Sequence, residues 1–284
     1  MTPAASPSRR AILLIAPSLV FMTALFTWPL VVGVGQAFLG DEGPTAEYVR
    51  EMFTDDDFRE AARNTLLLVL VLIPAQFALA LAMALLVRAR PRFIGFHFYV
   101  WVVPLAVSDL AAGLVWLSIF TDRGYLNSAL EMLGIDSYAW LSYQHETSVF
   151  VAVLIAELWR STSLVFVILV AGLQGIPKDY EEAAAVLGAT YWQRLRHVLL
   201  PQLLPSLQVA LILRTILALE TFAVARALTG REFPLLIGET YEWYNNRHNE
   251  HIAAAIALVI LAVSMLAAVG YLWLLRVRAA ESAR

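Results

Sequence analysis

Six long apolar runs divide the chain, at roughly 11–39, 62–87, 96–120, 147–173, 203–228 and 252–276. Each exceeds the ~20 residues that cross ~30 Å of hydrocarbon at 1.5 Å per residue, so the pattern predicts six membrane-spanning helices. The first run is too long for a 7–15-residue signal-peptide core and no A-x-A cleavage site follows it, so it is read as an uncleaved span. The polar stretches between the runs are short and carry local signals. Residues 40–61 mix acids with Phe53, Phe58 and Ala61-Ala62 and predict a short interfacial helix. In 121–146, turn residues at Asp122-Arg123-Gly124 and Leu133-Gly134 frame a helix over 126–133, with Trp140 and Tyr143 suited to an interfacial aromatic belt. A last polar loop, 229–250, holds Tyr241, Trp243, Tyr244, Asn245 and Asn246, a mix that also suits a sugar-binding surface. Pro17, Pro29, Pro74 and Pro104 fall inside spans, where neighbouring helices can satisfy the freed carbonyls. They mark either static kinks or hinges.

Composition supports a membrane chain: of 284 residues, 60% are hydrophobic and 15% charged, against about 45–50% and 25% in soluble domains. No linker or low-complexity tract separates the spans, so residues 1–284 are read as a single all-α membrane domain. The chain has no cysteine, which excludes disulfides, thiolate metal sites and thiol catalysis. Arginines set the orientation. Arg9, Arg10, Arg88, Arg90, Arg92, Lys178, Arg194, Arg196, Arg276, Arg278 and Arg284 fall on one side, and most acidic residues fall on the other. The basic excess places both termini, and the segment 175–202, in the cytoplasm.

That segment is the most ordered polar stretch. Pro177 suits a helix start, and Asp179, Glu181 and Glu182 follow where the helix dipole favours negative charge. Ala183, Ala184 and Ala185 keep the surface low, and Gly188 permits a turn into a second helix over 190–199. Arg194, Arg196 and His197 make that second helix basic, and Pro201 and Pro205 lead into the fifth span. An interfacial amphipathic helix explains the second helix well, but an acidic, Ala-rich first helix has little reason to lie on an anionic leaflet.

The order Glu182-Ala183-Ala184, Gly188 and Leu200-Pro201 resembles the EAA loop of ABC-importer permeases, and the likeness extends over most of the chain. Asp57-Phe58 with Asn64-Thr65, Ala171-Gly172-Leu173-Gln174 with Ile176-Pro177, and Leu228-Thr229-Gly230 are similar to flanking segments of the carbohydrate branch that includes maltose, trehalose and glycerol-phosphate systems. The resemblance implies a type I ABC-importer permease fold in a bacterial or archaeal cell membrane. It implies that Glu182 reaches a cleft on an ATPase subunit, that Ala183 and Ala184 pack there, that Gly188 holds the bend, and that Arg194 and Arg196 belong to the same coupling surface. It further implies a second permease subunit, an extracytoplasmic solute-binding protein and a sugar cargo, such as trehalose or maltose, moved by alternating access. Leu187, Ser163, Ala223 and Arg231-Glu232 depart from the family pattern; the first leaves docking intact, and the others bear on the cargo more than on transport itself.

The one lysine, Lys178, sits outside any G-x-x-x-x-G-K-[ST] motif, so MgATP is expected on a separate subunit, with no cofactor or nucleic acid for this chain. Asp109, Glu157, Arg160, Arg214 and Glu220 lie within spans. Asp109, Arg160 and Arg214 count to roughly 16–20 Å deep, and Glu220 to the outer third. A buried charge costs at least ~2.5–3.5 kcal/mol, so each should face protein or water. Glu157 and Arg160, at i and i+3, are expected to neutralise each other. With Trp159, the residues Glu220, Arg160, Arg214 and Asp109 either line a polar solute pathway or act as structural ion pairs. Rival readings are a permease for a glycerophosphodiester or polyamine, a proton-coupled secondary transporter, and a membrane metalloenzyme. The last would use His248-x-x-His251, which lacks a third ligand in register.

Overall fold

The computed structural model describes residues 9–40, 43–90, 92–142 and 144–275, with side chains from residue 14. Pro91, Tyr143, Arg276, Arg278 and Arg284, and the side chains of Arg9 and Arg10, lie outside the described residues. Contacts group the described residues into two compact units, those within 1–56 and 239–259 and those within 57–238 and 260–284.

The first unit opens with α1 (Arg9–Met22), a π turn at Thr23–Thr27 and α2 (Trp28–Phe38). Its apolar window within 14–38 has no buried residue, which suits a helix surrounded by lipid. A minimal antiparallel pair, β1 (Leu39–Gly40) and β2 (Gly43–Pro44), turns the chain into α3 (Glu47–Thr54). Asp55 then accepts an ion pair from Arg247 at 3.4 Å, and the Arg247 guanidinium lies 4.3 Å from the Trp243 ring. His251 stacks on Tyr48 at 4.3 Å and is 2.7 Å from the Gln36 carbonyl through Nδ1. That packing gives His251 a structural occupation in place of the metal-ligand role weighed from its spacing.

The second unit is built on α4 (Asp56–Arg88), α5 (Ile94–Val102), α6 (Asp109–Phe120), α7 (Tyr125–Met132) and α8 (Glu146–Gln174). It continues through α9 (Lys178–Val186), α10 (Tyr191–Arg194), α11 (Leu200–Leu219) and α12 (Ala223–Thr229). The chain then runs through α13 (Leu236–Tyr241) and a π turn at Glu242–Asn246 into α14 (Glu250–Leu274). The stretch 229–250, expected as a loop, is therefore largely helical.

Among the described residues, five helices are long and apolar enough to cross a membrane, and a sixth span exists if one bent pair is counted as one. The bent pair is the third apolar run. It is not one straight helix: the pieces Ile94–Ala106 and Asp109–Met132 meet at 106°. Pro104 removes a backbone donor inside a 3-10 turn at Val103–Ala106, and Ser108 then caps α6 by accepting from the Ala111 N–H at 3.3 Å. The fifth run is also interrupted. α11 ends at Leu219, and α12 restarts after Glu220-Thr221-Phe222. No proline or glycine marks that break; the packing of α12 on α6 does. A Cβ on Gly113 would come within 2.5 Å of the Ala227 Cβ, so only glycine lets the two backbones approach so closely.

α8 lies at the centre of this unit, with 56% of its apolar window buried. In lipid the hydrophobic effect does not drive helices together, so close packing and polar contacts must. Gly172 provides one such approach: a Cβ there would lie 2.3 Å from Ser206 Oγ on α11. Two polar residues near the start of α4 tie down the 231–236 turn. Asn64 donates to the Pro234 carbonyl at 3.2 Å, and Thr65 Oγ1 accepts from the Leu236 N–H at 3.0 Å. In the 121–146 loop, buried Asn127 accepts from the Trp140 indole at 3.0 Å and bonds the Tyr138 backbone, so Trp140 helps to hold the loop's own fold.

Candidate coupling surface and intramembrane polar cluster

The polar loop begins where α8 ends. Arg88, the last residue of α4, donates to the carbonyls of Leu173, in the last turn of α8, and Ile176, just past its end. Its Nε also donates to Glu181 Oε1 at 2.6 Å. One arginine thus joins the ends of two membrane helices to α9. Successive residues of a helix point about 100° apart, so a Glu181 turned toward Arg88 leaves Glu182 pointing elsewhere. Glu182 and Ala183 are exposed and Ala184 is half-buried.

Gly188 follows α9 with φ +84°, a left-handed conformation that side-chain-bearing residues adopt at a cost, and its N–H donates to the Ala185 carbonyl at 2.9 Å. Thr190 then starts α10 with a capping box. Its Oγ1 accepts from the Gln193 N–H at 3.4 Å, and its own N–H donates to Gln193 Oε1 at 2.8 Å. A Thr-x-x-Gln pattern is the local sequence signal for this cap.

The second helix also differs from expectation. It does not stop before the fifth span but continues into it, from Tyr191 to Leu219, through a π turn at Leu195–Leu199. The turn lies where Pro201 can neither donate its bond nor clear the His197 carbonyl, so the wider helical turn absorbs the mismatch. Arg194 is half-buried, with an Nε that has no hydrogen-bond partner among the described residues, and Arg196 is exposed. Beside Glu182 the surface carries apolar side chains that the sequence reading did not rank: Val186 is 87% exposed and Leu187 88%. Trp192, at 74%, and Tyr191 extend the patch with their rings 5.7 Å apart.

Deeper in the unit, four polar side chains from three helices converge. Arg214 on α11 is 2% exposed, Glu157 and Ser161 on α8 are each 3%, and Gln76 on α4 is 0%. Arg214 donates to Gln76 Oε1 at 2.8 Å, to Glu157 Oε2 at 3.2 Å and to Ser161 Oγ at 2.9 Å. Gln76 donates in turn to Ser161 Oγ at 2.7 Å. Gln76 and Ser161 were not singled out from the sequence, although a glutamine within an apolar α4 is itself a signal.

The expected Glu157–Arg160 pairing does not form. Glu157 turns to Arg214, and Arg160 pairs with Asp109. Asp109 is not mid-helix either. It is the first residue of α6, just after the break, where the positive end of the helix dipole favours a carboxylate. The Arg160–Asp109 pair is partly exposed, at 28% and 47% of the two side chains. Trp159 is partly exposed beside it, edge-on to Trp116 at 6.1 Å. Glu220 is exposed at the α11–α12 break and is brought together with neither pair.

Comparison with known proteins places this architecture. Over 292 residues the chain is 30% identical to the sulfoquinovosyl glycerol transport system permease protein of Agrobacterium fabrum, covering 94% of this chain and 91% of that one. A shorter match of 130 residues, 39% identical, is to the trehalose/maltose transport system permease protein of Thermococcus litoralis. It spans 45% of this chain and less than half, 43%, of that relative. The fold superposes on a chain of a bacterial ABC transporter involved in the import of the acidic polysaccharide alginate, with TM-score 0.81. That comparison covers 95% of this chain and 97% of the other, at 20% identity. Residues 10–277 match the family of binding-protein-dependent transport system inner membrane components. The chain therefore belongs to the family of binding-protein-dependent transport system inner membrane components, the permease subunits of ABC importers.

Proposed function

We propose that this chain forms half of a transmembrane pathway that carries a saccharide or glycoside into the cytoplasm, powered by a separate ATPase. A di- or oligosaccharide such as trehalose or maltose fits best. The observation that carries the coupling half of this reading is the surface around α9. Glu182 is exposed, Val186 and Leu187 are almost fully exposed, and Arg88 anchors the helix to the membrane helices through Glu181. A soluble ATPase that binds MgATP would seat Glu182 in a cleft and cover the apolar side chains, with both termini of this chain on the same side.

The saccharide is supported by the names of the two relatives and by the kind of groups exposed within the spans. The Trp159 indole suits a pyranose face, and the Arg160–Asp109 pair and the exposed Glu220 carboxylate suit its hydroxyls. On the opposite end, a cleft of about 600 Å³ lined by Glu60, Arg63, Glu146 and Glu232 offers charged groups to a solute-binding protein. A second permease subunit would complete the pathway.

The test is reconstitution with the ATPase, the second permease and the binding protein. ATP hydrolysis should rise when the binding protein carries a saccharide and stay basal with a polyamine or glycerophosphodiester. Glu182→Lys should release the ATPase while the subunit still inserts. Normal uptake by that variant would overturn the coupling assignment.

A further inference from the structure

One cavity borders the start of α9 but holds none of the groups assigned above to the ATPase contact or the solute pathway. It occupies about 540 Å³ between the end of α4, the start of α5 and the end of α8, with Val87, Ile94 and Leu173 on its apolar wall and Arg88, Arg90 and Lys178 among its polar lining. The Arg88 charge is met by Glu181. Arg90 and Lys178 are exposed and have no ion-pair partner among the described residues.

Both cations stand against local preference. Arg90, two residues past the end of α4, is in the left-handed region, φ 51°, where glycine is the common choice. Lys178 is the first residue of α9, where the positive end of the helix dipole disfavours a cation. Neither charge is explained by the fold around it, and both border the same apolar cavity.

We propose that the cavity holds an anionic phospholipid of the cytoplasmic leaflet, its phosphodiester between Arg90 and Lys178 and the start of an acyl chain along Val87 and Ile94. The leaflet rests on the orientation proposed above. Cationic pockets between membrane helices on the cytoplasmic side suit such headgroups, and the apolar wall favours a lipid over a soluble anion. Occupancy places the headgroup beside the Arg88–Glu181 link, and so beside the coupling helix.

The test uses the complete transporter, delipidated and offered phosphatidylglycerol or phosphatidylcholine, with retained lipid counted by native mass spectrometry. Wild type should retain phosphatidylglycerol preferentially. Arg90→Gly with Lys178→Gln should weaken that retention roughly thirty-fold. Melting should be unchanged or higher, because both substitutions suit the local backbone. Equal retention of the two lipids by wild type, or undiminished phosphatidylglycerol retention by the double variant, would overturn the proposal. Inorganic phosphate binding as tightly as the lipid would assign the cavity to a soluble anion instead. Loss of the ATPase from the double variant with lipid retention intact would assign the cations to that partner. Retention is read without solute or ATP, so a failure of saccharide transport leaves it standing. A Lys178→Cys label accepted only from the outer side would overturn the orientation and with it the leaflet.

Discussion

Replacing Arg214 by methionine separates a structural staple from a solute-contacting charge. The guanidinium makes three hydrogen bonds, to Gln76, Glu157 and Ser161. Its removal leaves the Glu157 carboxylate, only 3% exposed, without its cation. Breaking a buried pair from one side costs about 3–5 kcal/mol. The lower end applies here, because helices separated within a bilayer find other polar partners. Glu157→Leu should cost about as much, by stranding Arg214. With both replaced, Gln76 and Ser161 still bond each other at 2.7 Å. The residual loss is then one amide oxygen without a donor, about 1–2 kcal/mol. The cycle predicts singles near 3 kcal/mol each, a double variant near 1–2, and a coupling of about 4–5 kcal/mol. That exceeds the ~1.7 kcal/mol maximum found for polar pairs within a membrane protein. The assay is SDS-driven unfolding of the purified subunit in mixed micelles, followed by circular dichroism. Additive losses, with coupling under about 1 kcal/mol, would refute the staple.

Gly172→Val should cost at least about 1–3 kcal/mol in the same assay, since its Cβ would sit 2.3 Å from Ser206 Oγ, and Ser206→Gly should recover part of the loss. Arg88→Ala removes the anchor between the membrane helices and α9, so the assembled transporter should hydrolyse ATP without stimulation by the loaded binding protein. Retained stimulation would show that α9 does not need the anchor. Glu220→Gln should leave stability within about 0.5 kcal/mol, because the carboxylate is exposed, while the KM for uptake rises about tenfold or more. Unchanged uptake with lowered stability would remove Glu220 from the pathway.

The breaks show how far local signals reach. The turn before α6 was legible: Pro104, then Ser108-Asp109, is a helix stop followed by an N-cap and an acidic first turn. A hydropathy window averages over those residues, which is why 96–120 reads as one span and Asp109 as a charge in mid-bilayer. The α11–α12 break has no such signal, since Glu220-Thr221-Phe222 contains no residue that must leave a helix. It follows from Gly113 admitting Ala227, a contact between residues more than a hundred positions apart.

Span count, arginine asymmetry and the polar Ala-rich loop are properties of residues read in order, because crossing a bilayer requires only a long enough apolar run and a cap or turn acts within a few residues. The sequence by itself therefore determined the membrane class and located the polar Ala-rich loop that carries Glu182 and Gly188. Pairing was another matter. Arg214 meets Glu157 and Gln76 from 57 and 138 positions away, while Arg160, three residues from Glu157, turns to Asp109. Which carboxylate a buried arginine finds depends on how each helix is rotated against its neighbours. Only the tertiary structure decides that, as it decides that Glu181 faces Arg88 while Val186 and Leu187 stay uncovered.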